Sequence, residues 1–104
     1  MLSKGADVEA KDSKLNSTPL NIASFYGSVP VVDALLDKGA DINHQDASKN
    51  TPLHYAVWNN QLPVVKVLIT RGADPSLKND WNATPLEMAS EEDHEPIKDY
   101  LSCV

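Results

Sequence analysis

The sequence predicts an all-α solenoid, a stack of short helix-turn-helix units with projecting β-hairpin loops, and three marks that keep one register carry that prediction. Thr-Pro-Leu begins at Thr18, Thr51 and Thr84, a spacing of 33 residues both times. Gly-Ala-Asp begins at Gly5, Gly39 and Gly72, at spacings of 34 and 33, the extra residue falling between Asp7 and Thr18. Pro30-Val31-Val32 and Pro63-Val64-Val65 hold the same offset, and Pro96-Ile97 follows it in the third copy. A unit this short cannot bury its own apolar face, so neighbours must stack to make one continuous core.

Each element has a local cause. Thr18, Thr51 and Thr84 supply an N-cap hydroxyl, and the proline after each suits a first helical position whose N–H has no intrahelical partner. The first helix of each unit turns Leu20 and Ala23, Leu53 and Ala56, or Leu86 and Ala89 inward, the small alanine admitting a neighbouring helix. Tyr26-Gly27-Ser28 and Asn59-Asn60-Gln61 form the turn, and Pro30 and Pro63 open a second helix. Its apolar face is Val31, Leu35 and Leu36, then Val64, Leu68 and Ile69. Gly39 and Gly72 supply the left-handed conformation that ends it. The polar stretch 40–46 reads as a projecting loop or hairpin.

Thr-Pro-Leu-His-Tyr-Ala at 51–56, with Val-Val-Lys-Val-Leu-Ile-Thr-Arg-Gly-Ala-Asp at 64–74, resembles the ankyrin repeat. The resemblance covers the whole chain as one domain: a partial leading repeat at 1–17, repeats at 18–50 and 51–83, and a truncated C-terminal capping repeat at 84–104. The chain is therefore expected to begin inside a repeat, with Met1 and Leu2 at an apolar edge. The helix-turn glycine is Gly27 in unit one and is replaced by Asn60 and Asp93 later, residue types that enter the left-handed region readily. The histidine of the motif is His54, with Asn21 and Glu87 in its place elsewhere, so its inter-loop hydrogen bonds are implied for unit two.

What the resemblance implies is a non-catalytic module that binds a partner protein or peptide on a concave face of loop tips and first helices. The exposed positions of that face, carried over one by one, give the candidate partner-binding residues Phe25, Tyr26, Trp58, Asn59, Trp81, Asp80, Ser48, Lys14, Glu91 and Glu92. Four of the chain's six aromatic residues fall in this set, and Tyr and Trp are frequent interface anchors. Tyr55 and Tyr100 are expected in the core. The segment 35–43 is similar to that on which the cytosolic asparaginyl hydroxylase acts in ankyrin repeats, with Asn43 as acceptor, and the structural alternative is that Asn43 stabilises its loop. A structural or assembly role is the alternative function, in which the chain is a segment of a longer array or a self-associating scaffold.

Charge and composition bound the other classes. The net charge is −6, from 9 Lys plus Arg against 15 Asp plus Glu, and binding to a phosphate backbone rests on cations, so nucleic acid is not expected. From Thr84 onward there are six acids against Lys98 alone. That end is expected to face water as a cap, with Glu91, Glu92, Asp93 and Glu95 able to steer a basic partner segment. Cys103 is the lone cysteine, which excludes an intramolecular disulfide or a thiolate zinc site and fits a reducing compartment, cytoplasmic or nuclear. No apolar run spans a bilayer. His44, His54 and His94 belong to different units and match no metal spacing, and four glycines spread over four turns make no phosphate cradle. No catalytic residue, cofactor or metal is expected, and a monomer is expected if the N-terminal edge is capped.

Overall fold

The computed structural model describes residues 18–91 and 94–102. The leading segment 1–17 with Lys14, and Glu92, Asp93 and Cys103, lie outside the described residues. Those described form six α-helices: α1 (Pro19–Tyr26), α2 (Val29–Asp37), α3 (Pro52–Trp58), α4 (Leu62–Thr70), α5 (Pro85–Glu91) and α6 (Glu95–Ser102). Helices α1, α3 and α5 lie side by side in one layer, and α2, α4 and α6 make a second layer behind it.

Each first helix starts on its threonine. Thr18, Thr51 and Thr84 accept through Oγ1 from the backbone N–H groups of Asn21, His54 and Glu87, at 3.3, 3.3 and 3.2 Å. In the second and third units the residue at the third helical position reaches back and closes a capping box. His54 Nδ1 accepts from the Thr51 N–H at 3.1 Å, and Glu87 Oε1 accepts from the Thr84 N–H at 2.8 Å. Two otherwise orphaned donors are thereby satisfied at each box.

The turns also follow the sequence. Gly27 sits at φ 75° and Asn60, one unit later, at φ 57°, while Gly39 and Gly72 end the second helices at φ 92° and 99°. At Gly27 a Cβ would collide with the Gln61 side-chain amide. Gln61 lies there because its amide, with that of Asn59, donates to the Phe25 carbonyl at the end of α1, at 3.2 and 2.9 Å. That carbonyl lies at a helix end, where no partner is available within the helix, so the second unit caps the first helix of the unit before it.

The core runs along the seam between layers: Leu20, Val32 and Leu35, then Leu53, Ala56, Val57, Val64, Val65 and Leu68, then Ala89, Ile97 and Leu101. Truncating one of these, such as Leu53→Ala, would cost about 2–5 kcal/mol. The buried stripe of the second helices includes Val32 and Val65, and the expected Val31, Leu36 and Ile69 are only half-buried. Val32 with Leu35, and Val65 with Leu68, stand at i, i+3 on the side of α2 and α4 that is buried.

The loops differ from the expected hairpins, for no β-strand occurs among the described residues. Side chains close them instead. Asp46 Oδ1 accepts from the N–H groups of Ser48 and Asn50, both at 2.9 Å, and Asn79 Oδ1 does the same for Trp81 and Ala83 at 3.0 and 3.1 Å. Backbone donors that a ladder would use are consumed inside each loop. Loop is tied to loop by the Asp80 N–H on the Ser48 carbonyl at 2.9 Å, by Asn79 Nδ2 on Asn50 Oδ1 at 2.8 Å and by the Gln45 amide on the Lys78 carbonyl at 3.1 Å.

Candidate functional site

A groove of about 670 Å³ opens where the loop tips meet the first helices, bordered by Phe25, Tyr26, Tyr55, Trp58 and Trp81 among others. Its aromatic wall is a connected set of rings. Phe25 makes edge contacts with Tyr26, Tyr55 and Trp58 at centroid distances of 5.2, 6.4 and 6.3 Å, and Tyr55 lies near parallel to Trp58 at 6.1 Å. Such pairs add to the area they bury and hold each ring in place. Even so, Tyr26, Trp58 and Trp81 are 69%, 47% and 70% exposed. These large apolar side chains are gathered in one concavity and left to water.

The wall is stiff because polar groups anchor it. The Tyr55 hydroxyl donates to the Asp46 carboxylate, which also holds the loop at Ser48 and Asn50. Trp81 projects from a backbone fixed by its own N–H on Asn79 Oδ1. Behind the loops, His54 is fully buried, and its ring runs from the Thr51 cap to the Ala83 carbonyl, 2.9 Å from Nε2. Nδ1 accepts from Thr51, so Nε2 carries the proton and donates. Burial holds its pKa below the ordinary histidine value, against the raising effects of the Ala83 carbonyl and Asp46. The ring is therefore a neutral strut.

Among the expected residues, Phe25, Tyr26, Ser48, Trp58, Asn59 and Trp81 all border the groove. Asp80 does not; its backbone links the two loops. Glu91 borders an adjoining depression of about 200 Å³, shared with Trp58 and Trp81. Glu95 is exposed and pairs with Lys98 at 3.9 Å. Asn43 is half-buried, its Oδ1 accepting from the Asp74 N–H at 2.9 Å, so it bridges consecutive loops. Tyr55 corrects an expectation: it is half-buried and walls the groove, because Asp46 draws its hydroxyl toward the loop. Tyr100 is half-buried, packed on the core with Lys66 Nζ 5.9 Å from its ring centre.

Sequence reasoning missed Asn21, Ile22, Asp46 and Tyr55 as groove residues. Asp46 left a signal, since an Asx residue stands five positions before Thr51 and again, as Asn79, before Thr84. Asn21 has a consequence of its own. It occupies the position of His54 but is shorter, and its buried amide finds no hydrogen-bond partner among the described residues. No cluster of His, Cys, Asp and Glu suited to a metal occurs among them, and no described helix is long and apolar enough to cross a membrane.

Fold and site define a class: a helical-repeat solenoid that offers a preorganised aromatic concavity. The chain belongs to the ankyrin repeat family, whose model, ankyrin repeats in three copies, matches residues 1–79. Ankyrin repeats are in general protein–protein interaction modules and typically non-catalytic. The chain is similar to part of the palmitoyltransferase AKR1 of Lachancea kluyveri, 47% identical over 47 residues, which is 45% of this chain and 6% of that protein. It is also similar to the ankyrin repeat protein FPV230 of Fowlpox virus, 58% identical over 38 residues, 36% of this chain and 20% of that protein. In both cases the match spans a small part of the relative's length.

Proposed function

We propose that the chain is a non-catalytic interaction module that seats a partner protein or peptide in the groove between its loop tips and first helices. The observation that carries this reading is the exposure of Tyr26, Trp58 and Trp81, with Ile22 beside them, on one concavity. A rigid aromatic wall lowers the ordering cost of association, since its side chains have few rotamers left to lose. Within this reading the chain divides into repeats at 18–50 and 51–83, with 84–104 as a capping repeat and 1–17 as the end of a preceding one. The polar α6 supports the capping role, for Glu95, Pro96, Asp99 and Ser102 face water. A palmitoyltransferase activity is not carried over, because the match to that relative covers a sliver of it.

The experiment is affinity capture from cell extract with the native chain and with Tyr26→Ala, Trp58→Ala and Trp81→Ala combined, after circular dichroism shows both to be helical. A partner held by the first and lost by the second is expected. A partner held equally by both would move the site off the groove. Light scattering on the native chain completes the test, since a concentration-dependent dimer would point to self-association instead.

A further inference from the structure

We propose that the depression between Trp58 and Trp81 seats a single arginine side chain of the partner, an inference that rests on the groove being the binding face. The depression, of about 200 Å³, opens off the main groove and has room for one side chain rather than a helix or a folded surface. Trp58 and Trp81 are the chain's only tryptophans, and both border it. Met88 and Ala83 add apolar lining, and Glu91 stands at its edge.

Charge decides between occupants. Neither the groove nor the depression is lined by any Lys, Arg or His, whereas Asp46 and Glu91 are both present. The Asp46 carboxylate is engaged by Tyr55 and two backbone N–H groups, but Glu91 has neither hydrogen bond nor ion pair among the described residues. Glu91 is also the last residue of α5, and α1, α3 and α5 carry no basic residue in their last turns. Their carbonyl ends therefore add negative potential, which amides temper at α1 and which no basic side chain in the last turns offsets. An anionic side chain would be repelled there, and a purely apolar one would pack on the indoles and Met88 but leave the Glu91 carboxylate without a partner.

A guanidinium answers each feature at once. Its plane stacks on an indole face, its methylene stem lies along Met88 and Ala83, and its N–H fork reaches the Glu91 carboxylate. Lysine offers the charge but holds its hydration more tightly and cannot stack as a plane.

The test is selection of a random peptide library on the immobilised chain, followed by titration of synthetic winners with tryptophan fluorescence, whose two reporters border both the groove and the depression. The expected result is an arginine at one aligned position. Its replacement by glutamine weakens binding roughly tenfold or more, and its replacement by lysine weakens it less. Glu91→Gln, folded by circular dichroism, weakens the arginine peptide and leaves the glutamine peptide unchanged. Winners that shift tryptophan fluorescence but carry no basic residue would overturn the arginine seat and leave the groove standing. Winners insensitive to Trp58→Ala and Trp81→Ala, or no winners at all, would overturn both.

Discussion

The imidazole of His54 joins two loops by donating from Nε2 to the Ala83 carbonyl at 2.9 Å while its Nδ1 accepts from the Thr51 N–H at 3.1 Å. One neutral ring thereby ties the cap of α3 to the residue that precedes the cap of α5. Protonation would put a hydrogen on Nδ1, facing the donor it now accepts from, and would place a charge in a buried site. That is why burial lowers its pKa.

The first prediction is a pH dependence of stability. A histidine whose folded pKa lies below its unfolded value binds a proton more readily when unfolded, so its contribution is intact above the unfolded pKa near 6.5 and is lost as pH falls toward the folded value. The melting temperature is expected to drop on going from neutral pH into the mildly acidic range, with a slope of at most about 1.4 kcal/mol per pH unit for this one proton. The exposed carboxylates Asp74 and Glu87, whose pKa values are lowered by hydrogen bonds from Ser76 and Thr84, lose their contribution only at more acidic pH. Thermal melts of the native chain and of His54→Gln check this. The variant should be less stable at neutral pH and flatter through the histidine range, and equal slopes would refute the assignment.

Asp46 is the second point of failure. Asp46→Ala removes the acceptor for Ser48, Asn50 and the Tyr55 hydroxyl together, and Asn50 is buried. A loss of about 2–3 kcal/mol is expected in urea unfolding, the scale for stranding buried donors. Asp46→Asn should cost under about 1 kcal/mol, because Asn79 performs the same loop closure with an amide oxygen in the next unit. Equal losses in the two variants would mean that the negative charge, rather than the acceptor geometry, is what the loop requires.

These two residues also mark how far the sequence could be read. His54 belongs to a motif repeated at fixed spacing, and everything tied to that spacing was legible: the caps at Thr18, Thr51 and Thr84, the left-handed glycines and the order of helices. The aromatics of the groove were legible as well, because Phe25, Tyr26 and Trp58 lie at the ends of first helices and Trp81 sits in a loop tip. Tyr55 was misread, since helical periodicity alone puts it between units and only the contact from Asp46 turns its hydroxyl to the loop. The polar extended stretches read as loops or hairpins, and the resemblance favoured hairpins. Here the Asx side chains take the backbone donors first, and that choice depends on side-chain geometry rather than on hydrophobic pattern.

Asn43 tests whether a side chain that matches a modification segment is available for it. Its Oδ1 holds the Asp74 N–H of the following loop at 2.9 Å, and its own N–H donates to Asp41 Oδ1 at 3.1 Å. Asn43→Ala is expected to cost about 1 kcal/mol in urea unfolding through loss of the inter-loop bond. Incubation with asparaginyl hydroxylase is expected to leave the folded chain at its original mass. Gain of one oxygen atom at Asn43 under native conditions would show that the loop opens far more readily than this bond allows.

Lys49 offers a gain of stability. It is held at φ 62°, the left-handed region, at the place where Asn82 stands one unit later with φ 59°. A lysine side chain makes that conformation costly, whereas glycine adopts it freely. The backbone bonds at this residue, its N–H on the Asp46 carbonyl at 2.8 Å and its carbonyl accepting from Gln45 at 3.1 Å, need no side chain. Lys49 is exposed, so nothing packed is lost on truncation. Lys49→Gly is therefore expected to stabilise the chain by about 0.5–1 kcal/mol, the gain being reduced by the greater freedom of glycine in the unfolded state. Asn82→Gly should gain less, since asparagine already tolerates the region. Parallel urea titrations of the three chains decide it: a loss of stability in Lys49→Gly would mean that the lysine side chain makes a favourable contact that outweighs its backbone strain.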